Sequence, residues 1–215
     1  MFEKPHVPNL RSLYVVSNST NKHMGAARDY QYVSKDEYLE AEKHAEYRSE
    51  FHDGEIFAMA GGTPEHALIA SNTGRALGNA LQKKDCRVYG SDLMLEVADL
   101  NSILYPDVTV ICGKPEKNDP DKAPVNNPQV IVEVLSDSSE GYDRGEKFRK
   151  YRRLDSLREY VLIAQDRVGV DAFYKNEQGD WLLLPSCTAL TDELRLQSLG
   201  VSIPLAEIYE KTDLE

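Results

Sequence analysis

The stretch that most constrains this chain is Gln129-Val130-Ile131-Val132-Glu133-Val134-Leu135, a continuous apolar run broken by a single acid. A short run this rich in β-branched residues is the pattern of a strand buried on both faces, which needs layers above and below it. A carboxylate at its centre costs several kcal/mol unless a cation, a metal or a proton compensates it. The run Ile103-Leu104-Tyr105-Pro106-Asp107-Val108-Thr109-Val110-Ile111 repeats the anomaly with Asp107. Neighbouring strands that each turn one acid inward bring two carboxylates together, and both ionise only with a cation between them. Oxygen ligands alone select magnesium or manganese over zinc. Taken singly, each acid has a plainer reading: Asp107 as a turn or strand-entry residue after Pro106, and Glu133 as the partner of an arginine from a nearby helix.

The remaining pattern supplies the layers. Ser34 precedes Glu37 by three residues, a capping box that starts a helix expected to reach about Glu46. Asp53-Gly54 lies between two short extended runs within Phe51–Phe57 and predicts a hairpin. Thr63-Pro64 opens a second helix whose stripe of Ala67, Ala70, Gly74, Leu77, Gly78 and Leu81 is expected to lie close against a sheet. Strands are expected at Cys86–Val97, Leu104–Cys112 and Gln129–Leu135. A third helix follows at Glu140–Leu154, then strands at Glu159–Gln165, Val168–Tyr174 and Trp181–Leu184. Leu205–Tyr209 forms a short apolar end segment. This order fits an α/β (α+β) fold with a central mixed β-sheet flanked by helices. Residues 1–30 are polar and unpatterned, and read as a flexible extension ahead of one domain over 31–215.

Charge bears on partners. Lys and Arg number 25 against 36 Asp and Glu, a formal net charge of −11. That argues against a passive nucleic-acid coat, whose affinity comes from phosphate contacts, but not against an enzyme that grips locally. Cys86, Cys112 and Cys187 are far apart and odd in number, and read as ordinary thiols of a reducing compartment. No apolar run approaches membrane-span length, and the first thirty residues lack the order of a secretion signal. A cytoplasmic protein without membrane contact is the expectation.

Tyr105-Pro106-Asp107 followed by Val132-Glu133-Val134-Leu135-Ser136 resembles the core of the PD-(D/E)XK nuclease superfamily. A wider ordered series adds Asp53-Gly54-Glu55-Ile56, Pro64-Glu65-His66, Ser91-Asp92-Leu93, Tyr142-Asp143-Arg144-Gly145-Glu146-Lys147-Phe148 and Leu157-Arg158-Glu159-Tyr160. That series is similar to the Uma-type family of proposed bacterial restriction endonucleases, and it covers about Ser34 to Tyr209. The resemblance implies a restriction-endonuclease-like core and metal-dependent hydrolysis of DNA. Asp107, Glu133 and the backbone carbonyl of Val134 would hold Mg²⁺ or Mn²⁺. The superfamily lysine is absent, because Leu135 stands in its place two residues after the acid. The family pattern moves it to the third helix as Lys147, one turn before Tyr151. As a surface cation, Lys147 would instead belong to a basic face with Arg144, Arg149, Lys150, Arg152 and Arg153. Arg144, Arg149 and Lys150 are candidate contacts to substrate phosphates. Glu50 and Asp92 are candidate third carboxylates, though turn or cap roles suit each. His66, in the first turn of its helix, is a candidate proton carrier or a plain helix-start histidine.

Two rivals follow from the same residues. Leu135 and the acidic composition fit a catalytically inactive nuclease-fold interaction module, dimeric in form. A glycosidase using Asp107 and Glu133 as an acid–base pair fits poorly, since aromatics make up only 8% of the chain. A homodimer would let paired sites cut a duplex symmetrically.

Overall fold

A computed structural model describes residues 32–59, 61–137 and 139–214, so the 1–30 extension lies outside the described residues. Helix α1 (Lys35–Glu42) opens on the expected capping box. The Glu37 N–H donates to the Ser34 hydroxyl at 3.3 Å, and the Ser34 N–H donates to the Glu37 carboxylate at 2.9 Å. The helix stops at Glu42, short of Glu46, because the Glu42 carboxylate accepts from the Ser49 N–H and hydroxyl and draws the chain into a strand. That strand, β1 (Ser49–His52), pairs with β2 (Glu55–Ala58) through Asp53 and Gly54, both at positive φ (45° and 97°), the requirement of a two-residue hairpin.

Helix α2 (Pro64–Ala80) is capped by Thr63, whose hydroxyl accepts from the His66 N–H at 3.1 Å. Strands β3 (Cys86–Gly90), β4 (Leu95–Val97), β5 (Ser102–Leu104), β6 (Val108–Cys112) and β7 (Val130–Leu135) follow. A crossover helix over 140–151 comprises α3 (Glu140–Tyr142), a π-helical turn at Asp143–Lys147, and α4 (Phe148–Tyr151). Then come β8 (Glu159–Ala164), β9 (Val170–Lys175), β10 (Trp181–Leu183), β11 (Glu193–Leu196), β12 (Val201–Pro204) and α5 (Leu205–Ile208).

The central sheet is mixed, in the order β10-β9-β8-β7-β6-β3, with β7 and β8 parallel across the crossover helix and the other neighbours antiparallel. A second, antiparallel sheet runs β2-β1-β5-β4, and β11 pairs with β12 alone. Period-two alternation divides β7 between two cores. Val130, Val132 and Val134 pack with Ile69 and Leu77 of α2, while Ile131 and Leu135 pack with Phe148 and Tyr151 of the crossover helix. Glu133 therefore points toward the crossover helix, and the sheet has helices on both faces as expected.

Four expectations are corrected. Cys86–Val97 and Leu104–Cys112 are each two strands in two sheets, because the Ser91-Asp92 turn breaks the first and Tyr105-Pro106-Asp107 the second. Leu77 and Leu81 of the expected α2 stripe are buried, but the rest of the buried face is Ile69, Asn72, Thr73 and Ala76, while Ala67 and Gly78 are exposed. Ala67, Ala70 and Gly74 lie instead along a cleft. The β11–β12 hairpin, turning at Gly200 (φ 60°), went unforeseen. Last, Cys86 and Cys112 are disulfide-bonded, and only Cys187 is free. The β3–β6 register sets the first two directly opposite each other, which a separation of 26 residues conceals. Among the described residues no helix is long and apolar enough to cross a membrane.

Candidate active site

The β6–β7 register pairs Val108 with Val132, so one step further along the ladder Asp107 faces Glu133. The two carboxylates interlock with the facing backbones. The Asp107 N–H donates to Glu133 Oε2 at 3.4 Å, and the Val134 N–H donates to Asp107 Oδ2 at 2.8 Å. Glu133 is 2% exposed, and burial pushes its carboxyl up to about 8 against the pull of Lys147, with Asp107 and Asp143 adding to the rise.

Lys147 is the cation that meets it. Its Nζ stands 2.9 Å from Glu133 Oε1, 3.4 Å from Glu50 Oε1 and 3.7 Å from Asp143 Oδ1. Burial opposes the charge on Lys147, yet the three acids hold its proton on, far above the ordinary lysine range. Burial likewise opposes ionisation of Glu50, but Lys147 and His52 draw it down to about 2. The Tyr151 hydroxyl donates to Glu133 Oε1 at 2.8 Å. The π-helical turn runs from Asp143 to Lys147, so both ends of this ion pair sit on one widened turn, a geometry that recurs at functional sites.

On the far side of Asp107 stands His66, with Nε2 3.3 Å from Asp107 Oδ2. Its pKa is raised, chiefly by the hydrogen bond to Asp107, with the Val134 backbone contributing a further bond. Gly62 makes room for the ring, since a β-carbon there would stand 3.0 Å from His66 Nδ1. His66 and Asp107 close one end of a cleft of about 500 Å³ that runs past Ala67, Ala70, Gly74 and Tyr89.

Whether these groups suit a divalent ion turns on their donors. Among the described residues no three His, Cys, Asp or Glu side chains are grouped so as to hold a metal. Magnesium, however, keeps several waters and takes only one or two carboxylates, so a full protein cage is not its requirement. Asp107 and the Val134 backbone converge on His66, and the single ammonium of Lys147 faces Glu133, Glu50 and Asp143, with His52 a further partner of Glu50. The centre is short of positive charge, and its oxygen donors fit a hard divalent cation.

Glu42 anchors both acid-bearing segments. Its carboxylate accepts from the Ser49 N–H (3.0 Å), the Ser49 hydroxyl (2.7 Å) and the Tyr105 hydroxyl (3.0 Å). Ser49 adjoins Glu50, and Tyr105 lies two residues before Asp107. Glu42→Ala strands these buried donors and is expected to cost about 2 kcal/mol in urea unfolding, with Glu42→Gln recovering most of it. An unchanged midpoint in the alanine variant would show that the anchor carries no weight.

Of the residues singled out in the sequence, Asp107, Glu133, Lys147, Glu50 and His66 meet in one place. Asp92 does not: it lies in an exposed turn, 3.5 Å from Arg48. Arg144 is half-exposed, and its guanidinium is already paired with Glu140 and Asp171, each at 2.7 Å. Lys150 is half-buried, 2.9 Å from His52 Nδ1 and 3.2 Å from the Tyr142 hydroxyl. Arg149 is exposed beside Glu146. Asp143, Tyr151, His52 and Tyr142 were missed. The i,i+4 spacing of Asp143 and Lys147, and of Lys147 and Tyr151, was the signal for the first two.

Comparison with known proteins gives three findings. A family model described as "Uma2: Putative restriction endonuclease" matches residues 35–206. Two Synechocystis sp. proteins, each described as uncharacterized, are similar to the chain. One (slr1290) is 36% identical over 82% of this chain and 91% of its own length, and the other (sll1609) is 38% identical over 68% and 83%. A crystal structure from Anabaena variabilis, titled "a putative nuclease belonging to DUF820", superposes with a TM-score of 0.65 at 14% identity. It covers 82% of this chain and 97% of that one, a likeness of fold.

Proposed function

The chain belongs to the Uma2 family, and from that membership we propose that it is a Mg²⁺- or Mn²⁺-dependent endonuclease hydrolysing phosphodiester bonds of DNA. The observation that carries the reading is the meeting of Asp107 and Glu133 across the β6–β7 ladder with Lys147 at 2.9 Å.

Asp107, Glu133 and the Val134 carbonyl would hold the ion. When bound, it supplies an acidified water and charge to offset the pentavalent phosphate. Lys147 keeps its proton, so its part is to stabilise negative charge on the reacting phosphate rather than to act as a base. Glu50 and Asp143 hold Lys147 in place, and Tyr151 fixes the Glu133 carboxylate from the other side. His66, paired with Asp107 at the end of the cleft, would supply the proton to the departing oxygen. A second copy of the chain would bring a second centre to the opposite strand. Lys147 weighs against an inactive scaffold, because it supplies beside Glu133 the cation that Leu135 does not.

The test is conversion of supercoiled plasmid to nicked or linear DNA. Magnesium should support it, a chelator should stop it, and Asp107→Ala should abolish it while keeping the parental melting temperature. Undiminished cleavage by Asp107→Ala rejects the assignment. So does a parent that neither cleaves nor takes up magnesium in calorimetry.

A further inference from the structure

The basic stretch that begins at Arg144 divides in two. Arg144, Lys147 and Lys150 are engaged with partners inside the protein. Arg149 has one partner, the exposed Glu146, while Arg152 and Arg153 are exposed and form no ion pair with a described carboxylate. These three arginines, with Trp181 and Leu100, line a separate cleft of about 410 Å³. At roughly 100° per helical residue, Arg149 falls on the opposite side of the crossover helix from Lys147, with Lys150 between them. In a chain of net charge −11, three exposed guanidiniums around one hollow offer a local site for an anion.

The hollow is also built to hold its shape. Phe148 is buried, stacked on Tyr160 at 4.7 Å, and the Trp181 indole meets it edge-on at 5.2 Å. The Arg152 guanidinium sits 5.1 Å over the same Phe148 ring. The indole and one arginine are thus fixed by a common aromatic support before any ligand arrives, which lowers the ordering cost of binding. Arginines beside a half-exposed indole combine the two elements that bind a single nucleic-acid strand, phosphate neutralisation and base stacking.

We propose that the cleft of Arg149, Arg152, Arg153, Trp181 and Leu100 grips a single strand of nucleic acid, one phosphate among the guanidiniums and one base against the indole. This rests on the nuclease reading and adds to it. The strand leaves the acid centre past Lys150 and is held on the back of the helix that carries Lys147, so substrates with a single-stranded arm are preferred.

The test is binding of a fluorescein-labelled single-stranded DNA 20-mer, without divalent metal, across a salt series. The full chain is compared with Arg152→Glu/Arg153→Glu, Trp181→Ala and the conservative Trp181→Phe. Loss of that phosphate contact should weaken binding about tenfold or more and flatten the log–log salt slope by roughly 0.7. Trp181→Ala should weaken it about tenfold, and Trp181→Phe should restore most of that. A blunt duplex should bind the parent and the charge-reversed variant within about twofold of each other. Parental single-strand affinity in the double arginine variant overturns the proposal, as does an equal loss on blunt duplex. The two readings fail separately: plasmid cleavage with unaltered strand binding removes the grip alone, and arginine-dependent strand binding without cleavage removes the nuclease alone.

Discussion

Lys147→Met is expected to lower the melting temperature at pH 7 by on the order of 10 °C and to reduce cleavage about a thousandfold. Lys147 is buried and is the cation in contact with Glu133, Glu50 and Asp143. Removing one partner from a buried ionic group costs about 3–5 kcal/mol, because the remaining charges stay without compensation. For a domain of this size each kcal/mol is worth roughly 2–4 °C. The deficit has a defined pH dependence. Glu50 is drawn down in the folded protein to about 2 by Lys147 and His52 against burial, so its contribution is present above the ordinary carboxyl value and lost as pH falls toward 2. The gap between parent and variant should therefore be widest above about pH 5 and narrow in acid. Calorimetric scans from pH 2.5 to 8 measure this directly. A variant that melts with the parent at pH 7 would mean that the lysine is not what holds the acids together.

Glu133→Gln should act in the opposite direction on stability while also eliminating cleavage. The folded value of about 8 lies above the unfolded value near 4.5. Between them the native state holds a proton that the unfolded chain has lost. Stability of the metal-free parent therefore falls as pH rises through that window, by roughly 1.4 kcal/mol per unit and a few kcal/mol in all. Glutamine removes this slope. It keeps an acceptor for Tyr151 and Lys147, and leaves Lys147 paired with Glu50 and Asp143. At pH 8.5 without metal the variant should melt above the parent, and at pH 5 it should show no such advantage. Magnesium uptake by the parent should release a proton below pH 8 and tighten as pH rises, a linkage absent from the variant. A variant less stable than the parent at pH 8.5 would overturn the account of Glu133 as an under-compensated acid.

The sequence was most readable where local chemistry decides the outcome. The Ser34 and Thr63 caps, the Asp53-Gly54 turn and the anomalous acids of two apolar runs all appear where expected. Lys147 could be placed beside Glu133 only through the family resemblance, since the charge run around it pointed equally to a solvated face. What stayed hidden depends on register. Nothing local shows that Cys86 stands opposite Cys112, or that Tyr105-Pro106-Asp107 carries the chain from one sheet into another. The role of Glu42 is equally invisible, because its partners Ser49 and Tyr105 are brought to it by strand pairing and not by spacing. The stripe on α2 misled because small residues mark close approach without saying to what.

The division of labour in the acid centre also bears on the newly made chain. Glu50 comes from the smaller sheet, Glu133 from the larger one, Asp107 from the turn that leads into β6, and the lysine from the segment that joins β7 to β8. A ribosome-bound chain that has emerged only through β7 carries all three of these carboxylates but not Lys147. The acid centre is therefore complete only once the segment that joins β7 to β8 has docked.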